Sequence, residues 1–158
     1  MRNVRLTMQV RHKSAGEVYR TLSDFARYPE LSDAVRSVEV SQATAARAVS
    51  QWEVTFRAGL LRWTEEDFFS PDTCTIRFRQ LEGDIDIFEG SWQCTDLDAG
   101  SQVVFEANLD MGIPSLADAL EPIAVRALVE NTVSIVTGLV GPVDLIENAV
   151  SVPSGSPS

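Results

Sequence analysis

The sequence predicts an α+β fold in which a curved antiparallel sheet of about six to seven strands wraps around a long C-terminal helix. Three observations predict it. Val4 to Val10 alternates apolar and polar residues, the period of a half-buried strand. Six further strand-type runs between residues 35 and 111 are joined by links too short for crossovers, so successive strands must be antiparallel neighbours. The last third then changes to helical periodicity. At 158 residues, 44% hydrophobic and 23% charged, the chain suits one core. Residues 1–150 are accordingly read as a single domain and 151–158, SVPSGSPS, as a flexible tail.

In the first strand Val4, Leu6, Met8 and Val10 share one face against Arg5, Thr7 and Gln9. Ser14 and Glu17 then form a capping box ahead of a short amphipathic helix whose apolar positions are Val18, Leu22 and Phe25. Pro29 bars its continuation. The strand runs follow at Val35–Val40, Val49–Phe56, Leu60–Phe69, Thr73–Leu81, Asp84–Thr95 and Gln102–Met111, with turns at AGL, SPD, EGD and DAG. Beyond Pro114, Ser115 and Asp118 make a second capping pair, and Ala124, Leu128, Asn131, Ile135 and Leu139 form a stripe opposite Arg126, Glu130 and Thr137. Pro122 is expected to kink this helix or divide it, and Gly141-Pro142 to end it.

Composition removes several function classes. A net charge of -10 argues against nucleic acid, whose phosphates would repel the chain. The charge is uneven, +3 over residues 1–36 and -13 over the rest. That leaves room for a basic surface near the N-terminus, although scattered solvated charges would read the same way. The apolar stretch Ile123–Val140 is interrupted by Arg126, Glu130 and Asn131, which speaks against a membrane span, and MRNVRLTMQV lacks the continuous apolar core of a secretory signal. A cytoplasmic protein is expected. Cys74 and Cys94 are too few for a metal site or a disulfide framework, and His12 has no serine or cysteine partner. With no P-loop, dinucleotide fingerprint or metal-ligand cluster, no cofactor is expected.

A long sheet curls under its own twist, and the helix can bury its stripe only against the concave face. That arrangement encloses a cavity, so a small-molecule ligand is expected. The chain resembles the START or Bet v 1-like helix-grip (SRPBCC) superfamily, specifically its polyketide cyclase/dehydrase and coenzyme Q-binding branch. The resemblance covers roughly residues 4 to 140 and rests on DFARYPEL, RWTEEDFFSPDTCTIRFRQLEG and FEGSWQC in that order. It implies a hydrophobic ligand and, in GDIDIFEGSW, a bend and close approach at Gly90 beside Trp92. It also implies a ligand contact for Tyr28, at the family's Tyr-Pro segment. Ring-forming members usually carry an arginine where this chain has Asp67, so their standard chemistry does not transfer directly.

By strand parity, Glu65 and Asp67 share a face with Trp63 and Phe69. Buried together they would be suited to general acid or base work; on a wet face they would pair with Arg62, Arg77 or Arg79. The candidate catalytic residues are Glu65, Asp67 and Tyr28, and the candidate ligand-binding residues are Trp63, Phe56, Phe78, Gln80, Phe88, Trp92, Leu128, Asn131 and Ile135. Asn131, a polar residue on an apolar stripe, needs a partner such as Gln80, Glu65 or the ligand. Two functions stand: a polyketide cyclase, aromatase or dehydratase-like enzyme, and a carrier for a quinone, lipid or pigment. Beside a polyketide-like ligand, the partners admitted are an acyl carrier protein at the basic N-terminal part and a second copy of the chain.

Overall fold

The computed structural model describes residues 1–56, 59–112 and 114–151, the side chains of Phe56 and of 114–120 excepted. Strand β1 (Arg2–Arg11) leads through Ser14 into α1 (Ala15–Leu22), a 3-10 turn at Phe25–Arg27 and the short α2 (Tyr28–Leu31). Six strands follow: β2 (Val35–Ser41), β3 (Arg47–Phe56), β4 (Gly59–Ser70), β5 (Thr75–Gly83), β6 (Ile87–Leu97) and β7 (Gly100–Asp110). Helix α3 (Pro114–Val140) and a last strand, β8 (Val143–Ser151), complete the chain. The sheet has eight strands, one more than expected, in the order β2-β3-β4-β5-β6-β7-β1-β8, and every pairing is antiparallel.

The capping box forms in part. Ser14 Oγ accepts from the Glu17 N–H at 3.2 Å, while the Glu17 carboxylate meets the Ser14 hydroxyl (3.4 Å) and not its main-chain N–H. Pro29 does not end a helix; it sits in the first turn of α2, where its missing N–H would have had no partner anyway. Pro122 lies inside α3, which runs on through it. Pro122 itself is exposed, on the side of the helix where water can replace a lost main-chain hydrogen bond, so the helix need not break there. Gly141, at φ +88°, stops the helix, its N–H donating to Thr137 O at 2.9 Å. The proposed cap at Ser115 and Asp118 falls outside the described side chains, and of the expected tail only Ser151 is described, as the end of β8.

The core lies between the concave face of the sheet and the helices. Val4, Leu6, Met8 and Val10 of β1 are buried against Val103, Phe105 and Ala107 of β7, each of the side chains larger than alanine contributing about 1.5–3 kcal/mol. Helix α3 closes the face with Ala124, Val125, Ile135, Val136 and Val140. The segment Glu121–Val140 is long and apolar enough by composition to cross a membrane, yet here it packs on α1, α2 and the sheet. Buried Glu121 ties α3 to β1 through Arg2 at 3.5 Å.

Gly90 sits between Phe78 of β5 and Ala107 of β7. A Cβ there would lie 2.1 Å from Glu106 O and 2.9 Å from Phe78 Cζ, so the strand-breaking glycine is where a ring and a neighbouring backbone close in. Gly90→Ala is therefore expected to destabilise the fold by about 3 kcal/mol or more, measured as a lower urea midpoint at unchanged slope.

Candidate functional site

The site begins in the β3–β4 hairpin. Its register places Trp52 opposite Trp63 and Ser50 opposite Glu65. The two indoles stack with planes 2° apart and centroids 5.8 Å apart, and Phe88 of β6 meets Trp63 edge-on at 5.4 Å. Along β4 the alternation sends Trp63, Glu65, Asp67 and Phe69 inward, while Glu66 faces outward between Arg47 and Arg79. Arg79 therefore pairs with Glu66 and not with the inner acids. The guanidinium of Arg47, then that of Arg79, holds the Glu66 carboxyl below its ordinary range. The register slip beside Glu65 is absorbed by β5, which has Leu81 as its extra residue, so the parity of β4 survives.

Glu65 and Asp67 are buried, 4% and 0% exposed. Trp63 Nε1 donates to Glu65 Oε1 at 2.8 Å, Ser50 Oγ donates to Asp67 Oδ2 at 2.6 Å, and Trp52 Nε1 donates to Ser50 Oγ at 2.8 Å. Burial raises the Glu65 carboxyl well above its usual range; the hydrogen bond and charge of Asp67 raise it further, and the Trp63 indole opposes this. Asp67 is raised as well, again by burial, against the hydrogen bonds from Glu65 and Ser50. Two carboxyls can share a hydrogen bond only if one carries a proton.

Against Glu65 lies a cavity of about 130 Å³ between the sheet and α3. Its wall includes Trp63, Phe78, Phe88, Trp92, Leu128, Asn131, Ile135, Tyr28 and Glu65. Three expected residues are elsewhere or not described. Asp67 lies behind Glu65 and is not part of the wall. Gln80 turns its amide to the main chain, donating to Ile85 O and, at 3.4 Å, to Asp86 O, so it neither lines the cavity nor serves Asn131. The side chain of Phe56 lies outside the described residues. Tyr28 is on the wall, but its hydroxyl donates to Leu22 O at 2.6 Å, and its phenol is raised well above normal, first by burial and then by the two acids. It therefore offers the cavity its ring and not a free proton.

Sequence reasoning missed Ser50, Trp52, Phe25, Phe105 and Thr132. For Ser50 and Trp52 a signal existed: they share parity with Val54 in SQWEV, and counting back from the hairpin sets them against Glu65 and Trp63. The basic N-terminal part is not an open patch on β1, because Arg2 pairs with Glu121, Arg5 with Glu106 and Glu147, and Arg11 with Asp144.

A curved sheet gripping one helix around an aromatic cavity defines a helix-grip ligand-binding protein. The chain belongs to the family described as polyketide cyclase / dehydrase and lipid transport, whose model matches residues 12–133. No curated protein sequence matches it. Among solved structures it is similar to TTHA0849 from Thermus thermophilus, at 28% identity and a TM-score of 0.78 over 87% of this chain and 93% of that one. The Zhui aromatase/cyclase from Streptomyces sp. R1128 shares the fold at 19% identity and a TM-score of 0.76, over 89% and 93%. A START superfamily protein from Mycobacterium smegmatis does so at 17% and 0.68, over 89% and 97%.

The raised carboxyl gives a signed expectation for stability. The native protein holds the Glu65 proton more tightly than the unfolded chain, so this contribution is full below the ordinary carboxylate range and is lost as pH rises through the raised native value. Thermal midpoints of wild type should fall more steeply from mildly acidic to alkaline pH than those of Glu65→Gln.

Proposed function

We propose that the protein is a cyclase or dehydratase acting on a hydrophobic, polyketide-like intermediate, with Glu65 as its general acid and base. The observation that carries this reading is the carboxyl itself, a buried acid on the wall of an aromatic cavity whose lining includes no cationic side chain among the described residues. A carboxyl kept protonated near neutral pH can give its proton to a hydroxyl that leaves as water. The carboxylate then removes a proton from the adjacent carbon as the double bond forms, which restores the acid. Asp67, behind Glu65, supports its proton affinity without touching the ligand. The aromatic wall supplies the geometry, since a cavity of this volume holds about one ring and must seat the reacting ring against Glu65.

Transport without chemistry is the second reading. It is favoured by the bonding already made in the wall: the Tyr28 hydroxyl and the indole N–H groups of Trp52 and Trp63 have protein partners, leaving mostly apolar surface to the ligand. Work in the cytoplasm belongs to either reading and is supported by the free thiols of Cys74, just before β5, and of Cys94 in β6, whose main chains are hydrogen-bonded to each other and which suit a reducing compartment.

With a poly-β-ketone thioester as substrate, Glu65→Gln should lose roughly 10²–10⁴-fold in turnover while binding changes little. Product followed by mass and ring absorbance decides the matter. Unchanged substrate with wild type would favour the carrier, and equal product from both proteins would remove Glu65 from the chemistry.

A further inference from the structure

We propose that Ser50, held by the indole of Trp52, is a positioning residue that assigns the single proton of the acid pair to Glu65. The inference deepens the acid role proposed for Glu65 and begins from a constraint on direction. An indole N–H can only donate. Trp52 Nε1, 2.8 Å from Ser50 Oγ, therefore makes that oxygen an acceptor and orients its one hydrogen toward Asp67 Oδ2, 2.6 Å away. Trp63 imposes the same constraint on Glu65 Oε1 at 2.8 Å. Each carboxyl thus has one oxygen already engaged by a donor, which leaves the other oxygen of each as the place where a further proton completes the bonding.

Asp67 Oδ1 is buried and has no donor among the described residues while both acids are ionised. A proton on Glu65 Oε2 supplies that donor. The opposite assignment, with the proton on Asp67 Oδ1, leaves the anion at Glu65, supported by a neutral indole. Ser50 decides between them. Its short O–H···O bond is of the stronger charge-assisted kind, and donation from Trp52 polarises the hydroxyl further. An aspartate is also the more acidic carboxyl to begin with. The anion therefore rests on Asp67, away from the ligand, and the proton rests on Glu65, on the cavity wall.

The groups packed around the pair do not undo this. Tyr28 from α2 is held neutral, burial pushes the Cys94 thiol of β6 up to about 12, and α3 presents Asn131 and Thr132. Beside the pair β5 offers Phe78 and Gln80, and Glu66 on the outer face of β4 is engaged by Arg47 and Arg79. No cation reaches the pair among the described residues.

The experiment is a pH titration of the intact protein, labelled with ¹³C in its glutamate and aspartate side-chain carboxyls and free of ligand. In wild type the Glu65 resonance should remain that of a carboxylic acid at neutral pH while that of Asp67 is ionised. Ser50→Ala should raise the proton affinity of Asp67 by about tenfold or more. Ser50→Thr, which keeps the hydroxyl, should restore it, and Trp52→Phe should shift it in the same direction as Ser50→Ala by a smaller factor. If Ser50→Ala does not fold, Trp52→Phe still decides. A folded Ser50→Ala with unchanged midpoints at both carboxyls, or an unshifted Trp52→Phe, overturns the proposal. Turnover is read separately: shifted titration with no turnover in wild type leaves the assignment standing and removes the catalytic reading, whereas a catalyst should show its pH profile displaced in step with the titration.

Discussion

Two carboxyl groups buried side by side, with no cation in reach among the described residues, set the terms for this molecule. An ionised pair in that position would carry a penalty that no local hydrogen bond repays, so the structure must hold at least one proton there. The surrounding groups follow from that requirement. Trp63 and Ser50 each donate to one carboxyl, Trp52 fixes the direction of Ser50, and the outward Glu66 takes the arginines on the opposite face of the sheet. Alternation along one strand thus separates a buried inner acid pair that shares one proton from an ion-paired outer acid by a single residue.

The rest of the fold serves to keep that pair dry while leaving one member reachable. The curved sheet turns Trp63, Phe78, Phe88 and Trp92 toward α3, and the helix closes the opposite side with Leu128, Asn131 and Ile135. Gly90 lets the Phe78 ring and the β7 backbone approach, which brings the aromatic wall together beside the acid pair, where Phe78 stands opposite Asp67. Strand β8 extends the sheet beyond β1, and Arg5 and Arg11 fasten it through Glu147 and Asp144. The cavity is therefore a product of sheet curvature, and the acid is a local departure placed within it.

Much of this was legible where a simple period holds. Alternation sufficed to put Trp63, Glu65 and Asp67 on one face, and the change to helical spacing after Pro114 marked α3. What escaped notice lies where the period breaks or where depth matters. In β8 the register slip at Ile146 and the exposure of most of its residues erase the alternation that would have announced a strand. Asp67 shares parity with Glu65 but lies under Ser50, and parity carries no information about which of two inward residues reaches the cavity. The Tyr28 hydroxyl finds Leu22 O only because a 3-10 turn folds the chain back on α1, and Gln80 is drawn to the 85–86 main chain next to the bulge in β5. These are tertiary outcomes that a linear pattern does not encode.

The central claim is that one proton, held on the cavity side, limits the buried acid pair to a single negative charge and keeps Glu65 ready to act. Neutron diffraction from a deuterated crystal at neutral pH tests it most directly, because it locates the proton without reference to any ligand or reaction. A single deuteron on Glu65 Oε2 directed at Asp67 Oδ1, with the Ser50 hydroxyl deuteron directed at Asp67 Oδ2, is the expected result. Two bare carboxylates, two protonated ones, or a deuteron on Asp67 alone would contradict it.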